Sequence, residues 1–285
     1  MKILVLGVTG MLGKAVFSQL SCEKNYKVFG TLRNPNYLSY FPHLQHQYLL
    51  TNIDILDHDT LVETLRKVKP DVVVNCIGLI KQFDSAKDPL VVLPINSILP
   101  HRLAKLCDII NARLIHISTD CVFSGNKGFY EESDVSDAED LYGRSKFIGE
   151  VHDVPHALTL RTSIIGHGIH PNHSLIDWFL AQSNPVRGYS KAIFSGLPTI
   201  ELARVIQNYV IPDTKLYGLY HVAAEPIDKL SLLQLVAEVY EKEIEIYPED
   251  NVKIDRSLNS YRFRQKTGYS SPSWIKLIKL MHENR

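Results

Sequence analysis

The chain has 285 residues, 45% hydrophobic and 22% charged, with 31 Lys+Arg against 31 Asp+Glu and a formal charge of zero. That is the balance of an ordinary globular chain with enough apolar material for a core that needs no disulfide or metal staple, and it gives no global reason to expect nucleic acid or a membrane as partner. Cys22, Cys76, Cys107 and Cys121 have no CxxC spacing, which suits reduced thiols. Met1–Leu6 is too short an apolar stretch for a leader, and no apolar run approaches a membrane span, so a cytoplasmic location is expected.

The first run, Lys2–Leu6, leads into Gly7-Val8-Thr9-Gly10-Met11-Leu12-Gly13 and a helix over 11–21. Glycines after a strand allow a tight turn and a close approach of the backbone to a pyrophosphate, and the helix N-terminus offers free N–H groups. Gly7, Thr9, Gly10, Met11, Leu12 and Gly13 are therefore candidates to hold a dinucleotide. The spacing is GxxGxxG rather than GxGxxG.

The second strand, Lys27–Leu32, ends at Arg33, twenty residues past Gly13, where a domain selective for NAD carries an acid. A guanidinium suits a 2′-phosphate, which favours NADPH over NADH. A third strand, Gln47–Leu50, leads to Asp54 and Ile55, candidates for the adenine. A helix over 57–69 precedes the fourth strand, Asp71–Ile77, where Cys76, Ile77 and Gly78 can lie along the cofactor. A helix over 90–111 follows, then a fifth strand, Arg113–Ser118, a helix over 142–151 and a strand over 158–165. Near-continuous Val/Ile/Leu runs alternating with helices predict an α/β, doubly wound parallel sheet of Rossmann type.

Beyond Gly166 the rhythm breaks. A helix near 174–183, a helix near 199–210, a strand near 217–222, a helix over 229–241, an extended run at 243–247 and a helix at 272–282 are expected. The predicted division is a dinucleotide-binding domain over 1–165, with a return segment at about 198–225, and a smaller substrate lobe over 166–197 and 226–285.

The reactive residues follow the fifth strand. Ser118-Thr119-Asp120-Cys121-Val122-Phe123-Ser124-Gly125 precedes Tyr142-Gly143-Arg144-Ser145-Lys146. Tyr142 and Lys146, four apart, share a helix face. A phenol with a pKa of ~10 is a poor acid at neutral pH, and a neighbouring ammonium lowers it. Thr119 could hold a substrate carbonyl for hydride transfer.

These pieces, with Gly149-Glu150 and Gly196-Leu197-Pro198-Thr199, resemble an extended short-chain dehydrogenase/reductase, and within that group the dTDP-4-dehydrorhamnose reductase family, over nearly the whole chain. The resemblance implies a Thr119/Tyr142/Lys146 triad, a cofactor at the switch point of the sheet, support of the site by Asn96, and a nucleotide sugar held by the C-terminal lobe. The chain departs from the family at Cys121, where Tyr is frequent, and in Gly78-Leu79-Ile80-Lys81-Gln82. Both lie where the sugar should sit and point toward other 4-keto-6-deoxy sugars, N-acetylated UDP sugars included. Lys81, Asp120 and Cys121 are the sugar-side candidates there.

Trp178 could stack on a sugar or base or pack in the core, and Arg187 and Lys191 could meet a diphosphate or be solvated. The basic run Asp255–Arg264 could edge the pocket, a second subunit or solvent. His167, His170 and His173 are broken by Gly168 and Pro171, so no metal site is expected. A dehydratase needs an acid where Cys121 stands. A nucleotide-sugar epimerase or a non-catalytic NADP-binding regulatory subunit remains the alternative, with a homodimer left open.

Overall fold

The computed structural model describes residues 1–80, 87–169 and 174–285. β1 (Lys2–Leu6) enters α1 (Met11–Ser21), and β2 (Lys27–Thr31), β3 (Leu49–Leu50), α2 (His58–Val68) and β4 (Val72–Asn75) follow. The segment 89–109 is helical throughout, as α3 (Pro89–Leu93), a π turn over Pro94–Ile98 and α4 (Leu99–Ile109). Pro94 and Pro100 each lack a donor, which fits the break in its hydrogen-bond register. β5 (Arg113–Thr119), α5 (Leu141–Ile148) and β6 (Ala157–Thr162) complete the first half.

The second half contains β7 (Ile164–Ile165), α6 (Leu175–Ala181), β8 (Val186–Tyr189), β9 (Ala192–Phe194), β10 (Leu197–Pro198), α7 (Thr199–Val205), β11 (Gly218–His221), β12 (Ile227–Asp228), α8 (Lys229–Val239), β13 (Ile246–Glu249), β14 (Ile254–Asp255), α9 (Tyr261–Thr267) and α10 (Trp274–Glu283). α7 runs on as a π turn to Val210.

Seven strands form one parallel sheet in the order β11-β6-β5-β4-β1-β2-β3. The order reverses at β1 and β4, so a crevice opens beyond their carboxyl ends. Strands this apolar are buried on both faces: Ile3, Leu4, Val5 and Leu6 have no exposed surface. One apolar layer, including Val16, Phe17, Leu202 and Ile206, lies on one side of the sheet, and a second, including Leu61, Leu65, Leu103 and Cys107, on the other. Among the described residues, only Pro89–Ile109 is a helix long and apolar enough to cross a membrane by length and composition. Its Leu99, Leu103, Ala104 and Cys107 are buried in the second layer.

Small sheets build the remainder: β10 with β7, β13 with β8, and β9 between β12 and β14. Ile176, Phe179, Leu232, Val236 and Ile278 form their core. Phe263, Tyr269 and Leu277 of the tail instead join the core of the large sheet.

The predicted strand over 158–165 is split at Ser163, and the extended run expected at 243–247 pairs from Ile246. The 3₁₀ turn at Pro35–Tyr40 and the helix α9 fall where no element is predicted, and the 3₁₀ turn at His43–Tyr48 takes the first two residues of the strand expected at Gln47–Leu50, leaving Leu49–Leu50 as β3. None of the 3₁₀ residues is buried, and α9 buries only Phe263, so none of the three carries a full apolar stripe.

Candidate active site

The glycine turn lies at the switch point of the sheet. Gly7 has φ +82°, and a Cβ at Gly13 would stand 2.1 Å from the Gly7 carbonyl oxygen. Helix and strand can approach this closely only without that carbon. The Val8 N–H donates to Thr31 O at 3.2 Å and ties the turn to β2. α1 opens at Gly10 with no side-chain cap and no acid in its first turn, so its positive end is left for an anion. This cradle fits a dinucleotide diphosphate. Leu12 is buried in the core, which leaves only its backbone to offer; Thr9 and Met11 are half-buried.

At the adenosine end, Arg33 is exposed just past β2. Asp54 is exposed too, and its Oδ1 accepts the Leu56 N–H at 3.0 Å. Ile55 is buried in the core with Leu61 and Leu65.

At the other end, a Cβ at Gly78 would lie 3.7 Å from both Asn96 Oδ1 and Lys146 Nζ. Asn96, fully buried in the π turn, accepts from Leu79 N at 2.8 Å and donates to Leu79 O at 3.0 Å and Ser145 Oγ at 3.1 Å. It thus fastens the loop after β4 to the helix that carries Tyr142. A Cβ at Gly149 would sit 1.9 Å from Asn96 O, so this glycine is needed for the two helices to meet. Lys146 is 4% exposed and donates to Ile117 O at 2.8 Å. Burial pushes its ammonium down to about 8, against the opposing pull of Glu150 and Cys76. Burial pushes the neighbouring Cys76 thiol up to about 12.

Thr119 and Tyr142 meet beside it. The Thr119 hydroxyl accepts from Cys121 N and donates to Asp120 Oδ1, both at 3.1 Å, and it lies beside the Tyr142 phenol. Burial, then the neighbouring Cys121, raises the Tyr142 phenol above its ordinary value; the Thr119 hydroxyl opposes this. A phenol so placed is protonated at neutral pH, the state that can give up a proton. The Asp120 carboxyl is raised by burial and pulled back by Arg256.

Arg256 is the residue that spacing alone missed, having been one cation in a basic run. Its Nε donates to Phe123 O at 2.8 Å and its Nη1 approaches Cys121 Sγ at 3.9 Å. β14 brings it 135 positions back along the chain to the end of β5.

Beneath α5 lies a buried polar layer. Arg161 donates twice to Glu150, each at 2.7 Å, with side chains 3% and 1% exposed. Ser118 Oγ donates to Glu150 at 2.6 Å. Arg161 also donates to His221 Nε2 at 3.3 Å, which leaves Nδ1–H to donate to Tyr130 O at 3.0 Å. Glu150, noted in sequence only beside Gly149, is the anchor of this layer.

The sugar-side candidates are spread more widely. Lys81 lies outside the described residues, as do His170 and His173. Trp178 is 38% exposed and belongs to none of the core clusters, so the core-packing alternative does not hold. Arg187 pairs with Glu249 across β8 and β13, and Lys191 with Asp250 at 2.9 Å. His167 joins Asp177 at 2.6 Å and Tyr240 at 2.8 Å. Among the described residues there is no group of three His, Cys, Asp or Glu that could hold a metal.

The chain is 36% identical over 165 residues to the "Probable low-salt glycan biosynthesis reductase Agl14" of Haloferax volcanii, covering 56% of this chain and 52% of that protein. It is 27% identical over 167 residues to methionine adenosyltransferase 2 subunit beta of Xenopus tropicalis, covering 58% and 47%. The matches thus span about half the length of these relatives. A crystal structure of dTDP-4-dehydrorhamnose reductase from Bacillus anthracis in complex with NADP superposes with a TM-score of 0.81, covering 100% of this chain and 99% of that one at 19% identity, which shows a common fold. A family model described as RmlD substrate binding domain matches residues 1–281; the chain belongs to that family.

Proposed function

We propose that the chain is a cytoplasmic, NADPH-dependent reductase of the C4 keto group of a nucleotide-linked 4-keto-6-deoxy sugar. The observation that carries this is the meeting of Thr119, a protonated Tyr142 and a buried Lys146 against the wall of Gly78 and Asn96. The glycan-biosynthesis and dehydrorhamnose reductases among its relatives support the substrate class. The bound cofactor supplies the hydride. Thr119 orients the carbonyl, and Tyr142 gives its proton to the oxygen as charge develops there. Lys146 stabilises the phenolate left behind and holds the cofactor ribose.

Gly7, Thr9, Gly10, Met11, Leu12 and Gly13 hold the diphosphate, Arg33 the 2′-phosphate, Asp54 and Ile55 the adenine end, and Cys76, Ile77, Gly78 and Asn96 the nicotinamide end. The substrate lobe, 166–197 and 226–285, contributes Trp178 and Arg187 to the sugar nucleotide, beside Lys81, Asp120 and Cys121. The exposed Ile98 and Ile148 would be covered in a homodimer.

The test is NADPH oxidation against dTDP-, UDP- and GDP-linked 4-keto-6-deoxy sugars. Turnover with one of them should fall by ~10²–10⁴ in Tyr142→Phe while NADPH affinity stays within a few-fold; unchanged turnover would refute the role of Tyr142. Arg33→Ala should weaken NADPH at least ~10-fold more than NADH, and equal losses would remove the case for the phosphorylated cofactor. NADPH binding without any oxidation would favour a regulatory subunit, the class suggested by the likeness to methionine adenosyltransferase 2 subunit beta.

A further inference from the structure

A cleft of about 640 Å³ opens beside β11, the edge strand of the large sheet. Thr119, Tyr142, Lys146 and the glycine turn do not line it. Its wall carries Lys215, Arg262 and Lys266, and among the described residues none of the three has an ion-pair partner. The Arg262 guanidinium lies 4.8 Å from the centre of the Tyr220 ring. Arg161, 2% exposed, also reaches the cleft.

The acids present are already engaged. Asp134 is held by Lys127 and accepts the Glu131 N–H at 2.8 Å. Glu132 accepts the His221 N–H at 2.8 Å, and its carboxyl also feels the charges of Arg262 and Arg161. Arg161 is matched by Glu150. What remains is a surplus of positive charge beside two exposed ring faces, Tyr217 at 54% and Phe147 at 42%.

Guanidinium and ammonium groups in excess of the neighbouring carboxylates suit phosphate oxygens. Exposed aromatic rings suit a planar base. The volume lies within the range of small-molecule sites, ~300–1,000 Å³, and exceeds what a bare phosphate needs. We propose that this cleft is a second binding site, separate from the catalytic one, for a nucleoside diphosphate. Its diphosphate meets Lys215, Arg262 and Lys266, and its base lies against Tyr217 and Phe147. No residue proposed for cofactor or sugar takes part.

The experiment is a calorimetric titration of UDP into the full chain saturated with NADP⁺, alongside the triple variant K215E/R262E/K266E. The three side chains are exposed, so the variant should melt as the parent does and keep its NADPH affinity. The expected result is a loss of one bound equivalent of UDP, or a weakening of one class of site by more than tenfold, on charge reversal. UDP binding by the variant with the parent's stoichiometry and affinity would overturn the proposal, as would a parent that binds no UDP. Inorganic pyrophosphate should bind the parent at least threefold more weakly than UDP at the sensitive site; equal binding would overturn the role given to the rings. A reductase that turns over normally while the reversal leaves UDP binding untouched would sink this site and leave the catalytic proposal standing.

Discussion

The glycine turn and the small sheets of the second half are held together by different means. In the turn, contacts are between backbone atoms: Gly10 with Gly7, Gly13 against the Gly7 carbonyl, and Val8 with Thr31 of the neighbouring strand. In the small sheets the working contacts are made by side chains to groups distant in sequence: Arg187 to the Glu249 carboxylate, and Arg256 to the Phe123 carbonyl and the Cys121 thiol. A site made of backbone tolerates almost no change at its glycines and much change elsewhere. A site made of side-chain pairs can be rewritten one residue at a time. A fold built this way can keep the ligand of its glycine turn while the ligand of its side-chain pairs changes.

The turn offers the sharpest way to break this contrast. Gly13→Ala should abolish cofactor binding, with a loss above ~100-fold and a lower melting temperature, because its Cβ has no room between α1 and β1. Gly10→Ala adds a Cβ 3.4 Å from the Gly7 oxygen at φ −76°, an ordinary contact in an ordinary conformation. Its melting temperature should stay within ~1 °C, while NADPH affinity falls by roughly tenfold, because the new methyl takes space next to the phosphate. Thermal melting and cofactor titration of both variants check this. Equal melting temperatures would mean that the 2.1 Å approach is not what fixes Gly13.

The same contrast governs what could be read from sequence. The strands Lys2–Leu6 and Lys27–Thr31 and the helix Met11–Ser21 have the expected bounds within a residue, because buried parallel strands leave continuous apolar runs. Thr119, Tyr142 and Lys146 could be picked out because a helix face and a strand end place them by local rules. Arg256 could not, since nothing within ten residues of it distinguishes it from Arg262 or Arg264. The pairing of β14 with β9 and the Asp255 N–H bond to Gly125 O bring it to Cys121. Glu150 and Arg161 are visible as charges in apolar surroundings, but their bond depends on how α5 ends against β6. Spacing placed Lys146 on the face of Tyr142, but not the bond that its ammonium gives to Ile117 O, nor the Glu150 carboxylate and Cys76 thiol beside it.

That buried lysine gives the next effect in size. Its pKa, lowered to about 8 by burial, means that the folded chain carries a desolvation cost while the group is charged. Below pH 8 both folded and unfolded chains hold the proton, and the cost is present in full. Between pH 8 and the ordinary lysine value of ~10.4 the unfolded chain binds more protons, so stability rises with pH. Lys146→Met should therefore lose activity yet gain about 1–3 kcal/mol of stability at pH 7. The gain should fade as the pH approaches 10. Urea melts at the two pH values check the sign; a variant less stable than the parent at pH 7 would show that the bond to Ile117 O outweighs the burial of the charge.

The smallest effect is expected at Arg187, on the other side of the comparison. Its side chain is 75% exposed and its partner Glu249 only 14% exposed. A pair whose cation lies in solvent contributes ~0–1 kcal/mol, so Arg187→Ala should change stability by less than ~1 kcal/mol. If the guanidinium also meets the diphosphate of the sugar nucleotide, KM should rise about three- to tenfold with kcat unchanged, the mark of an interaction made equally in ground and transition states. A KM within error of the parent would assign Arg187 to the sheet alone. A fall in kcat at constant KM would mean that the small sheet positions the catalytic residues, and that the two regions do not act as independently as their construction implies.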